Sequence, residues 1–164
     1  MALGVIAQAS LAGTVLALGV AFIRRRKAPR VFQFSVALMV TWVLCRVSHD
    51  LAGPSYRQLL PFVDFGLICL LLRYLVETTG SINVTRAPWW LSLALAPLIV
   101  QLFLHTLYRP ELPLEQRWAS LFFLNMLYVP QLLAIVVGAI TGEPLATSEA
   151  ERAGPSPNVP GIEN

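Results

Sequence analysis

Five apolar runs, each near the length that crosses a lipid bilayer, divide most of the chain: Ala2 to Ile23, Val31 to Leu51, Leu59 to Val76, Trp89 to Leu107 and Ala119 to Ile140. A hydrocarbon core about 30 Å thick takes roughly 20 residues of helix at 1.5 Å each. Backbone N–H and C=O groups placed there must bond within their own segment, which selects helices over open strands. The fold class expected is therefore all-α, a polytopic membrane bundle of about five transmembrane helices. The third run is the shortest and most polar of the set. Composition agrees: 56% of the 164 residues are apolar, 13% are charged and the mean hydropathy is +0.66. A soluble fold of this size could not hide so much apolar surface.

The connectors RRRKAPR, AGPSYRQ, ETTGSINVTRAP and YRPELPLEQRW are short, so neighbouring spans run antiparallel, and each carries the Pro, Gly or Asn of a break. Residues 1–142 form the expected bundle. Residues 143–164, rich in Pro, Glu, Ser and Gly, read as a disordered cytoplasmic tail. Arg24, Arg25, Arg26, Lys27, Arg30, Arg86 and Arg152 gather on one side, against Arg57, Arg109 and Arg117 on the other. By the bias of basic residues toward the cytoplasm, the N-terminus lies outside and the C-terminus inside a plasma or bacterial inner membrane. The first run lacks a basic leader and is followed by RRRK, so it reads as a retained anchor. Trp89, Trp90 and Trp118 stand at span ends, where indoles favour the interface. The net charge of +3 is concentrated in one topological loop and argues against a nucleic-acid partner.

Polar groups inside the runs are the candidate functional residues. Arg46, His49 and Asp50 fall at i, i+3 and i+4, on one helical face. At 1.5 Å per residue, Arg46 and Asp64 lie roughly 7 to 8 Å inside the outer boundary, Gln101 about 9 Å, His105 about 3 Å, and Asn125 and Gln8 roughly 9 to 11 Å. All five spans thus offer a polar group near one level. Charges at such depth cost about 2.5 to 3.5 kcal/mol each on insertion scales, so they are expected to face one another or water. Arg46 with Asp64 is the expected ion pair. Arg73 with Glu77 at i+4 reads as a snorkelling surface pair. Pro97 stands one turn before Gln101 and could aim that polar face. Cys45 and Cys69 have the setting of buried structural thiols, and the acceptor pattern Asn83-Val84-Thr85 falls in a cytoplasmic loop, where it carries no meaning.

Three classes of function fit these features. The first is a small subunit, assembly partner or pore-forming, holin-like element that works through helix association, with other membrane subunits or further copies of itself as partners. The second is a redox anchor, in which His49 and His105 ligate a b-type haem with Arg46 on a propionate, or which serves a quinone. The third is proton-coupled or small-solute transport through Asp64, Asp50 and His49. No Ser–His–Asp arrangement, HExxH or phosphate loop is present in the sequence, and a hydrolytic enzyme is the least favoured reading.

Overall fold

The computed structural model describes residues 2–80, 82, 87–107 and 114–142, with side chains described from Gln8 onward and excluding residues 54, 114–118 and 121. The Asn83-Val84-Thr85 acceptor, Arg86, Arg109, Arg152, the 143–164 tail and the side chains of Arg117 and Trp118 lie outside that range. The described residues form five helices and no strand: α1 Ala2–Ile23, α2 Pro29–Ala52, α3 Leu60–Thr79, α4 Trp89–Leu107 and α5 Leu114–Thr141. Four segments are long and apolar enough to cross a membrane: Pro29–Ala52, Ser55–Thr79, which adds the five residues before α3, Trp89–Leu107 and Phe122–Thr141. The described part of α1, Gln8–Ile23, is a shorter apolar helix.

The boundaries follow local chemistry. Pro29 sits in the first turn of α2, where its missing N–H is no loss, so the helix begins two residues before the apolar run. Gly80 closes α3 with φ +68° and donates its N–H to the Val76 carbonyl at 2.9 Å, a left-handed cap that glycine adopts without strain. Two expectations need correction. The connector AGPSYRQ is not a plain break: Gly53–Leu59 forms a 3-10 segment joining α2 to α3. The fifth helix begins at Leu114, five residues before the apolar run, because a helix continues into the interface wherever its backbone bonds are made.

The helices pack in sequence order, most extensively α4 with α5 and α3 with α4, and α1 closes the ring against α5. Lipid removes the usual hydrophobic drive for helix association, so close van der Waals contact must replace it. Small residues provide that contact. Ala17 and Ala21 on α1, and Ala134, Gly138 and Ala139 on α5, are all buried. A Cβ on Gly138 would stand 2.9 Å from Trp90 Cγ and 3.0 Å from Val31 Cγ2.

The buried apolar core is concentrated in one half of the bundle. Phe34, Leu38, Leu71, Leu75, Trp90, Leu91 and Ile135 belong to the halves of their helices nearer the Arg24–Lys27 turn, and Leu98 stands at the midpoint of α4. Side-chain bonds tie the same end: Tyr74 Oη donates to Gln33 Oε1 at 2.9 Å, and Glu77 accepts from Arg73 at 2.7 Å and Arg30 at 3.3 Å. The expected Arg73–Glu77 pair is therefore present, with Arg30 of α2 added to it.

Candidate functional site

The opposite half of the bundle is hollow. A partly open cavity of about 780 Å³ is lined by all five helices and the 3-10 segment. Ser10 comes from α1; Thr41, Trp42 and Cys45 from α2; Tyr56 and Arg57 from the 3-10 segment; Asp64 from α3; Gln101 and His105 from α4; Asn125, Tyr128 and Gln131 from α5. Leu38, Val63, Leu67 and Leu124 supply apolar wall.

Among the described residues, Asp64 is the most deeply buried charge, 2% exposed. Its Oδ2 is hydrogen-bonded to Nδ1 of His105, and the two side chains are 3% and 9% exposed. This corrects the expected Arg46–Asp64 pair. Arg46 instead reaches Asp50 Oδ2 on its own helix at 3.5 Å, with both side chains more than half exposed. The reason lies in the packing: α3 contacts α4 far more extensively than it contacts α2, so the carboxylate meets the face of α4 that carries His105. A carboxylate buried beside a neutral or protonated imidazole keeps at least one charge-assisted bond, which is the condition for holding it away from water.

A second polar pair lies deeper. Gln131, 0% exposed, donates from Nε2 to Gln101 Oε1 at 2.8 Å, joining α5 to α4. The Gln131 Oε1 atom has no protein partner and is one of two such buried side-chain atoms among the described residues, with Trp90 Nε1. Thr14 Oγ1 lies 2.7 Å from the Ser10 carbonyl and 3.3 Å from Tyr128 Oη. A threonine has one hydroxyl hydrogen, and the carbonyl can only accept it, so the Tyr128 hydroxyl donates to Thr14 Oγ1. That bond ties α1 to α5 and turns the lone pairs of Tyr128 outward from it.

Of the candidate residues, the cavity gathers Asp64, Gln101, His105 and Asn125. Arg46, His49, Asp50 and Gln8 are exposed and do not line it. His49 Nδ1 pairs with Asp50 Oδ1 at 3.2 Å, and its ring meets Tyr56 edge-on at 5.2 Å. The two histidines thus occupy separate surroundings, each with its own carboxylate, and α2 and α4 are not among the extensively packed helix pairs. Among the described residues no group of three or more His, Cys, Asp and Glu side chains stands ready for a metal ion. The haem arrangement on His49 and His105 therefore receives no geometric support.

Gln131, Tyr128, Thr14 and Trp42 were not singled out by the sequence. The signal was present for α5: Leu124, Tyr128 and Gln131 repeat at i, i+4 and i+7, the spacing of one helical face. Comparison of the sequence with family models and with curated proteins, and of the fold with solved structures, finds no match.

Proposed function

We propose that this chain is a small multi-pass membrane protein, N-terminus out and C-terminus in, that holds a small solute in a cavity opening on the non-cytoplasmic side. The observation that carries this reading is the unequal build of the bundle. One half is filled with side chains, and the other holds about 780 Å³ of space around a buried carboxylate, a histidine and amides. Ligand sites are typically concave, mostly apolar and dotted with a few convergent polar groups. Ionisable residues at membrane depth are uncommon outside such sites. The RRRK turn lies at the filled end, which supports placing the cavity outside. A pore through a single chain finds no support, because Phe34, Leu71, Leu75 and Trp90 are 0–1% exposed in the filled half. The reading sits closest to solute handling, and it needs no catalytic step.

Cys45 lines the cavity and Cys69 is exposed on α3. In a Cys69→Ser background, a cationic, membrane-impermeant methanethiosulfonate applied to right-side-out vesicles should modify Cys45 within minutes, and inverted vesicles should protect it. Modification from the inner face alone, or from neither face, would overturn the proposal.

A second reading, helix association with another membrane subunit, has one observation in its favour. His49, Asp50 and Arg46 are 53%, 57% and 60% exposed at the end of α2, where a partner could meet them. A native mass above that of one chain in mild detergent, lost in Arg46→Ala, is the result expected from it.

A further inference from the structure

We infer that the occupant of the cavity is an organic ammonium, a protonated amine carried on an apolar body; this rests on the reading of the cavity as a binding site. The first argument is the hydrogen-bond sense of the deep wall. Asp64 is an acceptor with roughly four lone-pair positions, of which His105 takes one. Gln131 lines the cavity, and its buried Oε1 has no protein donor. Tyr128 spends its hydrogen on Thr14 and keeps its lone pairs. With its Nδ1 hydrogen on Asp64, a neutral His105 presents Nε2 as a further acceptor. These groups ask for donors, and an ammonium supplies up to three.

Charge points the same way. Among the described lining residues, Asp64 is the one Asp or Glu and Arg57 the one Lys or Arg. Arg57 belongs to the 3-10 segment at the mouth, seven residues before Asp64, a separation of roughly 10 Å along the wall. Asp64, at 2% exposure, acts in the drier surroundings, where a charge is felt more strongly. The aromatic side chains of Trp42 and Tyr56 complete the wall, and ring faces attract organic cations within about 6 Å.

Three probes with one phenyl-alkyl body and different heads test this: 4-phenylbutylammonium, 4-phenylbutanol and 5-phenylpentanoate. Each is added to the purified Cys69→Ser protein, and the rate of Cys45 modification by uncharged N-ethylmaleimide is followed. The ammonium should slow modification, the alcohol and carboxylate should not, and Asp64→Asn should raise the ammonium concentration needed by about tenfold, the loss of one charge-assisted contact. The comparison of head groups uses the native site and does not depend on the variant folding. Protection by the carboxylate, equal protection by all three, or protection by none while Cys45 reacts freely would each overturn the ammonium assignment and leave the cavity in place. A Cys45 that never reacts would instead remove the proposed function itself.

Discussion

The bond between Asp64 and His105 predicts a specific pattern of stabilities. Both side chains are nearly withdrawn from solvent, at 3% and 9% exposure. Stripping the hydrogen-bond donor from a buried charge costs about 3–5 kcal/mol, because that charge is left without compensation, while joint replacement of both partners by apolar residues is often neutral. The cavity beside Asp64 lets water reach an orphaned carboxylate, so His105→Leu should fall at the lower end, about 3 kcal/mol. The Asp64→Leu/His105→Leu double variant should then lose about 2 kcal/mol less than the sum of the two single variants. An uncharged hydrogen bond between membrane helices averages about 0.6 kcal/mol and reaches about 1.7 at most, so a coupling near 2 separates the two cases. Unfolding in mixed micelles of increasing dodecyl sulfate fraction, followed by helical circular dichroism, measures all four corners. Arg46 and Asp50, more than half exposed, are the internal control and should couple by about 0.3–0.5 kcal/mol. A coupling for Asp64 and His105 no larger than that control would refute the buried pair.

Gly138→Ala should destabilise by about 1–3 kcal/mol in the same assay, since the new Cβ meets Trp90, itself 1% exposed, near its attachment to the backbone. Gly13→Ala meets only the tip of Leu132 at 2.8 Å and should be near neutral, because that side chain can turn aside. Gln131→Met removes a buried oxygen without a partner together with the bond to Gln101; the two effects oppose, so stability should change by less than about 1 kcal/mol, while protection of Cys45 by the ammonium probe weakens. Replacing Arg24, Arg25, Arg26 and Lys27 by Ser should mix the orientations of the protein, read by a compartment-sensitive reporter fused after Gly142; a single retained orientation would show that the turn does not set topology.

Lipid makes helices legible from sequence, because every apolar run of bilayer length must bond its own backbone. Ala2–Ile23 and Trp89–Leu107 coincide with α1 and α4 for that reason. Hydropathy reports where lipid begins, and for that reason the polar LEQRW turn of α5 and the 3-10 segment escaped it. Depth was also legible, since it needs only 1.5 Å per residue, and it placed Asp64, Gln101, His105 and Asn125 at one end. What depth cannot supply is which helix stands beside which. Asp64 and Arg46 share a level, but α3 leans on α4, and the carboxylate went to His105. Arg46 and His49 follow Trp42 and Cys45 one turn further along α2, yet their side chains are more than half exposed. Gln131 lies below the tier that depth defines, so depth does not mark it, although among the described residues it is the most buried of the amides and holds Gln101.

The unequal filling of the bundle is tested most directly along α4, which runs through both halves. In a background lacking Cys45 and Cys69, single cysteines at Ala94, Leu98, Gln101 and His105 are exposed in turn to a small water-borne thiol reagent. Ala94 and Leu98 are 0% exposed, whereas Gln101 and His105 line the cavity. Reaction should therefore be absent at the first two positions and rapid at the last two, with the step between Leu98 and Gln101. A uniform rate along the helix, or a faster reaction at Ala94 than at Gln101, would contradict a bundle that is solid toward the basic turn and hollow toward the other side.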